Sequence, residues 1–79
     1  MSQKWEYMYF TAMNGVVGSI NGEESKEFKM GFFGTYKGKK MHELLCELGD
    51  DGWEAVGITS EIVPSAYRSD TILLKRPKG

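Results

Sequence analysis

Leu44-Leu45-Cys46-Glu47-Leu48-Gly49-Asp50-Asp51-Gly52-Trp53-Glu54-Ala55-Val56-Gly57-Ile58 is where the chain changes its hydrophobic period. With Met41, the leucines at 44, 45 and 48 fall at i, i+3, i+4 and i+7, the stripe of an amphipathic helix. The spacing predicts a helix from Lys39 to Asp51. Gly52 suits the left-handed position that ends a helix. From Trp53 to Ile62 the period is two, with Val56, Ile58 and Ile62 expected on one face together with Glu54 and Ser60. Gly49 costs about 0.8–1.0 kcal/mol relative to Ala inside a helix, and a close backbone approach is the expected reason for it. Asp50 and Asp51 sit at the end of the helix that disfavours anions and are expected in a solvated turn.

Upstream, Gln3 to Met13 is rich in aromatics and free of Gly and Pro. Trp5, Tyr7, Tyr9 and Thr11 share one face, and Glu6, Met8, Phe10 and Ala12 the other, so this strand should be central or covered on both sides. Asn14-Gly15 and Asn21-Gly22 each supply the two positive-φ residues of a type I′ hairpin turn, with Val16 to Ile20 returning between them, either in a meander of three short strands or in one long hairpin with an irregular tip. Glu23 to Glu27 reads as solvated, Phe28 to Phe33 as a strand, and Gly34 to Gly38 as a connection. Downstream, Val63 to Arg68 reads as a loop around Pro64, and Ser69 to Arg76 as a last strand closed by Pro77. The expected fold is α+β, in the order β-β-(β)-α-β-β. An antiparallel sheet of four to five strands carries one amphipathic helix packed on one face, in a single domain over residues 1–79.

One helix covers one face. The other must meet water or a partner, carrying part of the set Trp5, Tyr7, Tyr9, Phe10, Phe28, Phe32 and Phe33. Apolar patches above several hundred Å² rarely stay exposed on monomers. A chain of 79 residues also buries a marginal core, and its single Cys allows no internal disulfide. Both points lead to a homo-oligomer.

Two stretches and a terminus bear a resemblance: Lys4-Trp5-Glu6-Tyr7, Leu44 to Val56, and Ile72-Leu73-Leu74-Lys75-Arg76-Pro77. Together they resemble a family of small bacterial and phage proteins with a Trp-Glu-Tyr strand, a Leu-rich helix, a Gly-x-x-Gly-Trp-Glu turn and a final Lys-Arg-Pro strand. That family is a domain of unknown function. The resemblance covers both ends and the helix-to-strand turn but not residues 14–38. It implies a helix on an antiparallel sheet and transfers no catalytic residue. The expected role of its Trp residues is packing, with a Trp-Glu match between neighbouring strands.

Catalytic patterns are incomplete. His42 and Cys46 are the only His and Cys, on adjacent helical turns about 100° and 140° from Met41 and off the core stripe. They lack an orienting residue for a nucleophile–base pair and further ligands for a zinc site, so neither a metal nor a cofactor is expected. Carboxylates at Glu23, Glu24, Glu27, Glu43 and Glu47 read as solvated faces. Gly31-Phe32-Phe33-Gly34-Thr35-Tyr36-Lys37-Gly38-Lys39-Lys40 fails as a P-loop because no Ser or Thr follows the lysine. As an anion contact before a helix it survives beside its plain reading as a basic connection.

The expected function is therefore non-catalytic: a small homo-oligomeric interaction module. The alternative is a receptor or sequestering protein for a small anion such as a nucleotide. There Tyr36 and Tyr67 would stack on it, and Lys37, Lys39, Lys40 and Arg68 would pair with its phosphates at a subunit interface. Single-stranded RNA binding on an aromatic sheet face is a further alternative, opposed by the net charge of −1 and by the absence of an RNP-like run. Without a run long and apolar enough to span a membrane or a secretory h-region at Met1 to Trp5, a cytoplasmic location is expected.

Overall fold

The computed structural model describes residues 3–30, 35–62 and 68–78. Its elements are β1 (Trp5–Met13), β2 (Val16–Ile20), β3 (Glu23–Glu24), β4 (Lys29–Met30), β5 (Tyr36–Lys37), α1 (Met41–Asp50), β6 (Glu54–Ile62) and β7 (Arg68–Pro77). Five strands form one antiparallel sheet in the order β3-β2-β1-β7-β6, and β4 and β5 form a separate two-stranded ribbon. The expected α+β arrangement holds.

The alternation in β1 decides which side is inside. Met8, Phe10 and Ala12 are buried, and Trp5, Tyr7 and Tyr9 on the other face are exposed. β1 is the central strand, paired along its whole length with β7 from Trp5–Pro77 to Met13–Ser69. Phe10 lies opposite Ile72 and Met8 opposite Leu74, so two core residues of β7 join the same layer. Val17 completes the sheet side and Leu44 the helix side, with Met41, Leu45, Leu48, Ile20 and Trp53 packed around them. The expected stripe is thus the face that α1 buries.

Both Asn-Gly turns form as read. Asn14 and Gly15 have φ of 48° and 82°, and Asn21 and Gly22 of 51° and 85°. Each Asn does more than turn the chain. The Asn14 backbone N–H donates to the Arg68 carbonyl (2.8 Å) and its Oδ1 accepts from the Arg68 N–H (2.7 Å), extending the β1–β7 ladder. Asn21 does the same for Tyr9, at 2.8 and 3.0 Å. Glu23 and Glu24, expected to be only solvated, pair with Ile20 and Ser19 as a short outer strand.

Several boundaries move. The expected strand over Phe28 to Phe33 reduces, among the described residues, to Lys29–Met30; Gly31 to Gly34 lie outside them. Its partner is Tyr36–Lys37, expected as part of a connection. The helix starts at Met41 rather than Lys39 because the preceding backbone is committed to the β1–β2 hairpin. Val17 N–H donates to the Lys39 carbonyl (2.8 Å), Met41 N–H donates to the Gly15 carbonyl (2.7 Å), and Lys40 is extended. The last strand runs from Arg68, expected in a loop, through Pro77, which pairs opposite Trp5.

Helix α1 ends in a Schellman motif. The Trp53 N–H reaches the Leu48 carbonyl at 2.9 Å and the Gly52 N–H the Gly49 carbonyl at 3.0 Å, with Gly52 at φ 88°. The expected close approach at Gly49 is absent: a Cβ there would meet nothing within 4 Å. Gly49→Ala should therefore stabilise the protein by up to about 1 kcal/mol. Gly52→Ala, forced into the left-handed region, should destabilise it by about 1 kcal/mol or more. Urea titrations of the two variants against wild type read both signs.

Candidate functional site

The residues behind the family resemblance converge at one end of the sheet. β7 lies between β1 and β6, so the expected Trp-Glu match between neighbouring strands does not form; each Trp-Glu segment faces β7 instead. Lys75 and Arg76 point to opposite faces, as neighbours on a strand must. On the open face the Lys75 ammonium lies 4.1 Å from the centre of the Trp5 ring. On the helix face the Arg76 guanidinium lies 4.4 Å from the centre of the Trp53 ring, pairs through Nε with Glu6, and donates from Nη1 to the Asp51 carbonyl at 3.1 Å. This knot joins β1, β7, the helix terminus and the start of β6. It also places a cation at the anionic end of α1, where Asp50 and Asp51 offer none. Its role is to hold the fold.

Two surfaces and one buried polar cluster remain among the described residues. The first is the open face of the sheet. Register places Tyr7, Lys75 and Glu54 in one row, Tyr9, Leu73 and Gly57 in the next, and Ser19, Thr11, Thr71 and Thr59 in a row of hydroxyls. Thr11 and Ser19 hydrogen-bond at 2.5 Å. Trp5, Tyr7, Tyr9 and Leu73 are the exposed large side chains of this face, at 38–60%. From the expected aromatic set, Phe10 is instead fully buried under the helix, Phe28 stacks on Tyr36, and Phe32 and Phe33 lie outside the described residues.

The second surface is β6. All nine of its residues are exposed, among them Val56, Ile58 and Ile62 at 43%, 59% and 80%. It is an edge strand beyond the reach of the helix. A bulge between Ala55 and Gly57 breaks the alternation expected there. Glu54 pairs with Lys75 on the open face, whereas Ile58 pairs with buried Ile72 on the helix face, so Glu54 and Ile58 do not share a face. Between β6 and the helix runs an open groove of about 240 Å³ lined by Met41, Leu45, Ala55, Gly57, Ile58 and Ile72. The sequence held the signal for this surface in three branched aliphatics, but placing them at an edge required the strand order.

The third is polar. Asp70 is the one buried charged residue among those described. It accepts from Arg68 Nε at 3.0 and 3.1 Å and from the Ser60 hydroxyl at 2.6 Å. Those donors hold its carboxyl below the ordinary value of 3.8, the Arg68 hydrogen bond contributing most.

The residues read as an anion site divide among separate duties. Tyr36 stacks on Phe28 with ring centres 5.5 Å apart. Lys39 pairs with Glu47, which raises its pKa above the usual 10.5. Arg68 is engaged by Asp70. Lys40 caps the helix by its backbone, without a side-chain capping bond. Lys37 stands directly opposite Lys29, and Tyr67 lies outside the described residues. His42 Nε2 and Cys46 Sγ are 3.8 Å apart on an exposed helix face. No group of metal-ligating side chains occurs among the described residues, and none of their helices is long and apolar enough to cross a membrane.

Protein-family models, curated proteins and solved structures were each searched, and none matches this chain.

The lowered pKa of Asp70 makes an acid prediction. A carboxylate held below 3.8 adds stability that is complete above that value and is lost as pH falls through the folded value. Asp70→Asn should therefore be less stable at neutral pH and lose less stability than wild type between neutral pH and pH 3, as read by thermal melts across that range.

Proposed function

We propose that this protein acts by binding, as a small homo-oligomeric interaction module. The observation that carries this reading is the difference between the two edges of its sheet. Natural sheets blunt their edges with very short strands, charges, Pro or bulges, because an unpaired strand is a template for another chain. Edge strand β3 follows that rule with two residues, both glutamates. Edge strand β6 offers nine exposed residues, three of them branched aliphatics, and its single bulge lies near one end. The uncovered Trp5, Tyr7, Tyr9 and Leu73 add apolar area on the open face. An 8.9-kDa chain with seven buried hydrophobic residues among those described gains most from such an association.

A second reading, a receptor for a small anion, is favoured by Lys29 and Lys37. Like charges directly opposite one another destabilise a strand pair, and an anion between them would reverse that sign. Thermal shift against inorganic phosphate and a nucleotide panel tests it: a rise in Tm that Lys37→Glu abolishes supports it, and no rise dismisses it.

For the main reading, sedimentation velocity should give a mass that is a multiple of 8.9 kDa, and Tm should rise with protein concentration because association stabilises by mass action. A monomer at high micromolar concentration with a concentration-independent Tm would overturn it.

A further inference from the structure

Resting on the homo-oligomer reading, we infer that the assembly is a two-fold dimer in which β6 pairs antiparallel with β6 of a second copy about Ser60. The argument starts from symmetry. An antiparallel ladder between identical strands has its two-fold axis perpendicular to the sheet, so each face stays on its own side and both helices lie on one side of a ten-stranded sheet. Residues then meet when their numbers add to a constant, and the sequence of β6 selects that constant.

Pairing about Ser60 sets Ile58 opposite Ile62 of the second copy, Thr59 opposite Glu61, and Ser60 opposite itself. Every pair is then apolar with apolar or polar with polar, and no like charges oppose each other. The paired segment Ile58–Ile62 also avoids the bulge between Ala55 and Gly57. Shifting the axis to Glu61 puts two carboxylates face to face. Moving it to Thr59 sets Ile58 against Ser60 and Gly57 against Glu61, and its one aliphatic pair, Val56 with Ile62, falls in the bulge. An axis midway between Gly57 and Ile58 is excluded by geometry, because it would oppose Gly57 on the open face to Ile58 on the helix face. Opposed like charges destabilise, and matched aliphatic pairs stabilise, a strand pair.

The helix face supplies the second argument. Ile58 lies opposite buried Ile72 and lines the apolar groove beside Met41 and Leu45. Ile62 has the highest exposure of the large hydrophobic side chains described, at 80%. In this register Ile62 of the second copy comes to rest beside Ile58 at the groove, so the groove of each protomer is closed by a residue of the other. Stacking of further copies is blocked, because the remaining edge is the two-residue Glu23–Glu24 strand, whose charges repel both itself and the glutamates of β6. The interface is closed and isologous rather than a route to fibres.

Cysteine cross-linking in a Cys46→Ser background tests the register. Ile58→Cys and Ile62→Cys proteins, mixed and mildly oxidised, should form a disulfide-linked heterodimer, because opposed Cβ atoms lie about 4.5–5.5 Å apart. Neither alone should cross-link, since like positions would be about 13 Å apart at ~3.3 Å per residue, far beyond disulfide reach. Thr59→Cys mixed with Glu61→Cys should behave in the same way on the open face, away from the groove, which keeps the test intact if the isoleucine variants fold poorly. Ile58→Lys should weaken dimerisation by about tenfold or more, since it buries a charge at the pair. Dimers by sedimentation that cross-link at neither mixed pair would overturn this interface and leave the homo-oligomer reading standing. A monomeric wild-type protein would overturn both.

Discussion

Among the described residues one helix serves the five strands of the main sheet, and most of the arrangement follows from that disproportion. A helix about 10 Å across covers roughly two strands spaced about 4.8 Å apart. The ten residues of α1 lie on the layer built by β1, β2 and β7, and the core cluster of the described residues lies in that layer: Met8, Phe10, Val17, Leu44, Ile72 and Leu74. The opposite face keeps Trp5, Tyr7, Tyr9 and Leu73 in the open, and β6 keeps its whole length exposed. The surfaces available for function are those the helix is too narrow or too one-sided to cover.

The helix holds its place because both of its ends are tied to the sheet. At the N-terminus the tie is backbone, through Val17 to Lys39 and Met41 to Gly15. At the C-terminus it is the Schellman turn and the Arg76 guanidinium, which gathers Glu6, the Asp51 carbonyl and the Trp53 ring. An arginine suits this position because its planar fork can stack on an aromatic ring and donate to oxygens in its own plane. The Trp-Glu, Gly-Trp-Glu and Lys-Arg-Pro segments are thus parts of one structural device assembled from three distant stretches. Their chemistry is spent on the fold, which directs the search for function towards β6 and the open face.

Charge placement separates the two ends of the sheet in a similar way. Asp70, taken out of water, is held by Arg68 and Ser60 next to the Asn14 turn, so the end remote from Arg76 has its own polar anchor. The basic residues that precede the helix are drawn into separate local contacts: Lys39 to Glu47 and Lys40 into the backbone bridge with Val16. What looked like a basic cluster along the chain is dispersed in space, and the cationic pair that the fold does bring together is Lys29 with Lys37.

The sequence by itself determined what depends on local periodicity and local backbone geometry. The stripe at Met41, Leu44, Leu45 and Leu48 named the buried face of the helix, the alternation in Trp5 to Ala12 sorted the two faces of β1, and the Asn-Gly pairs and Gly52 marked positive-φ positions that few other residues adopt without strain. What depends on which strand lies beside which was beyond it. Phe10 and Tyr9 are both aromatic, and only the docked helix decides that one is buried and the other open. The bulge after Ala55, which separates the faces of Glu54 and Ile58, is fixed by pairing with β7; Gly57 marks a weak point in β6 but not the two-against-one register. The same holds for the meeting of Glu6, Trp53 and Arg76, and for β6 as an edge. Periodicity records each element's own geometry, whereas neighbours, register and exposure are set by long-range contacts that exist only once the chain has folded.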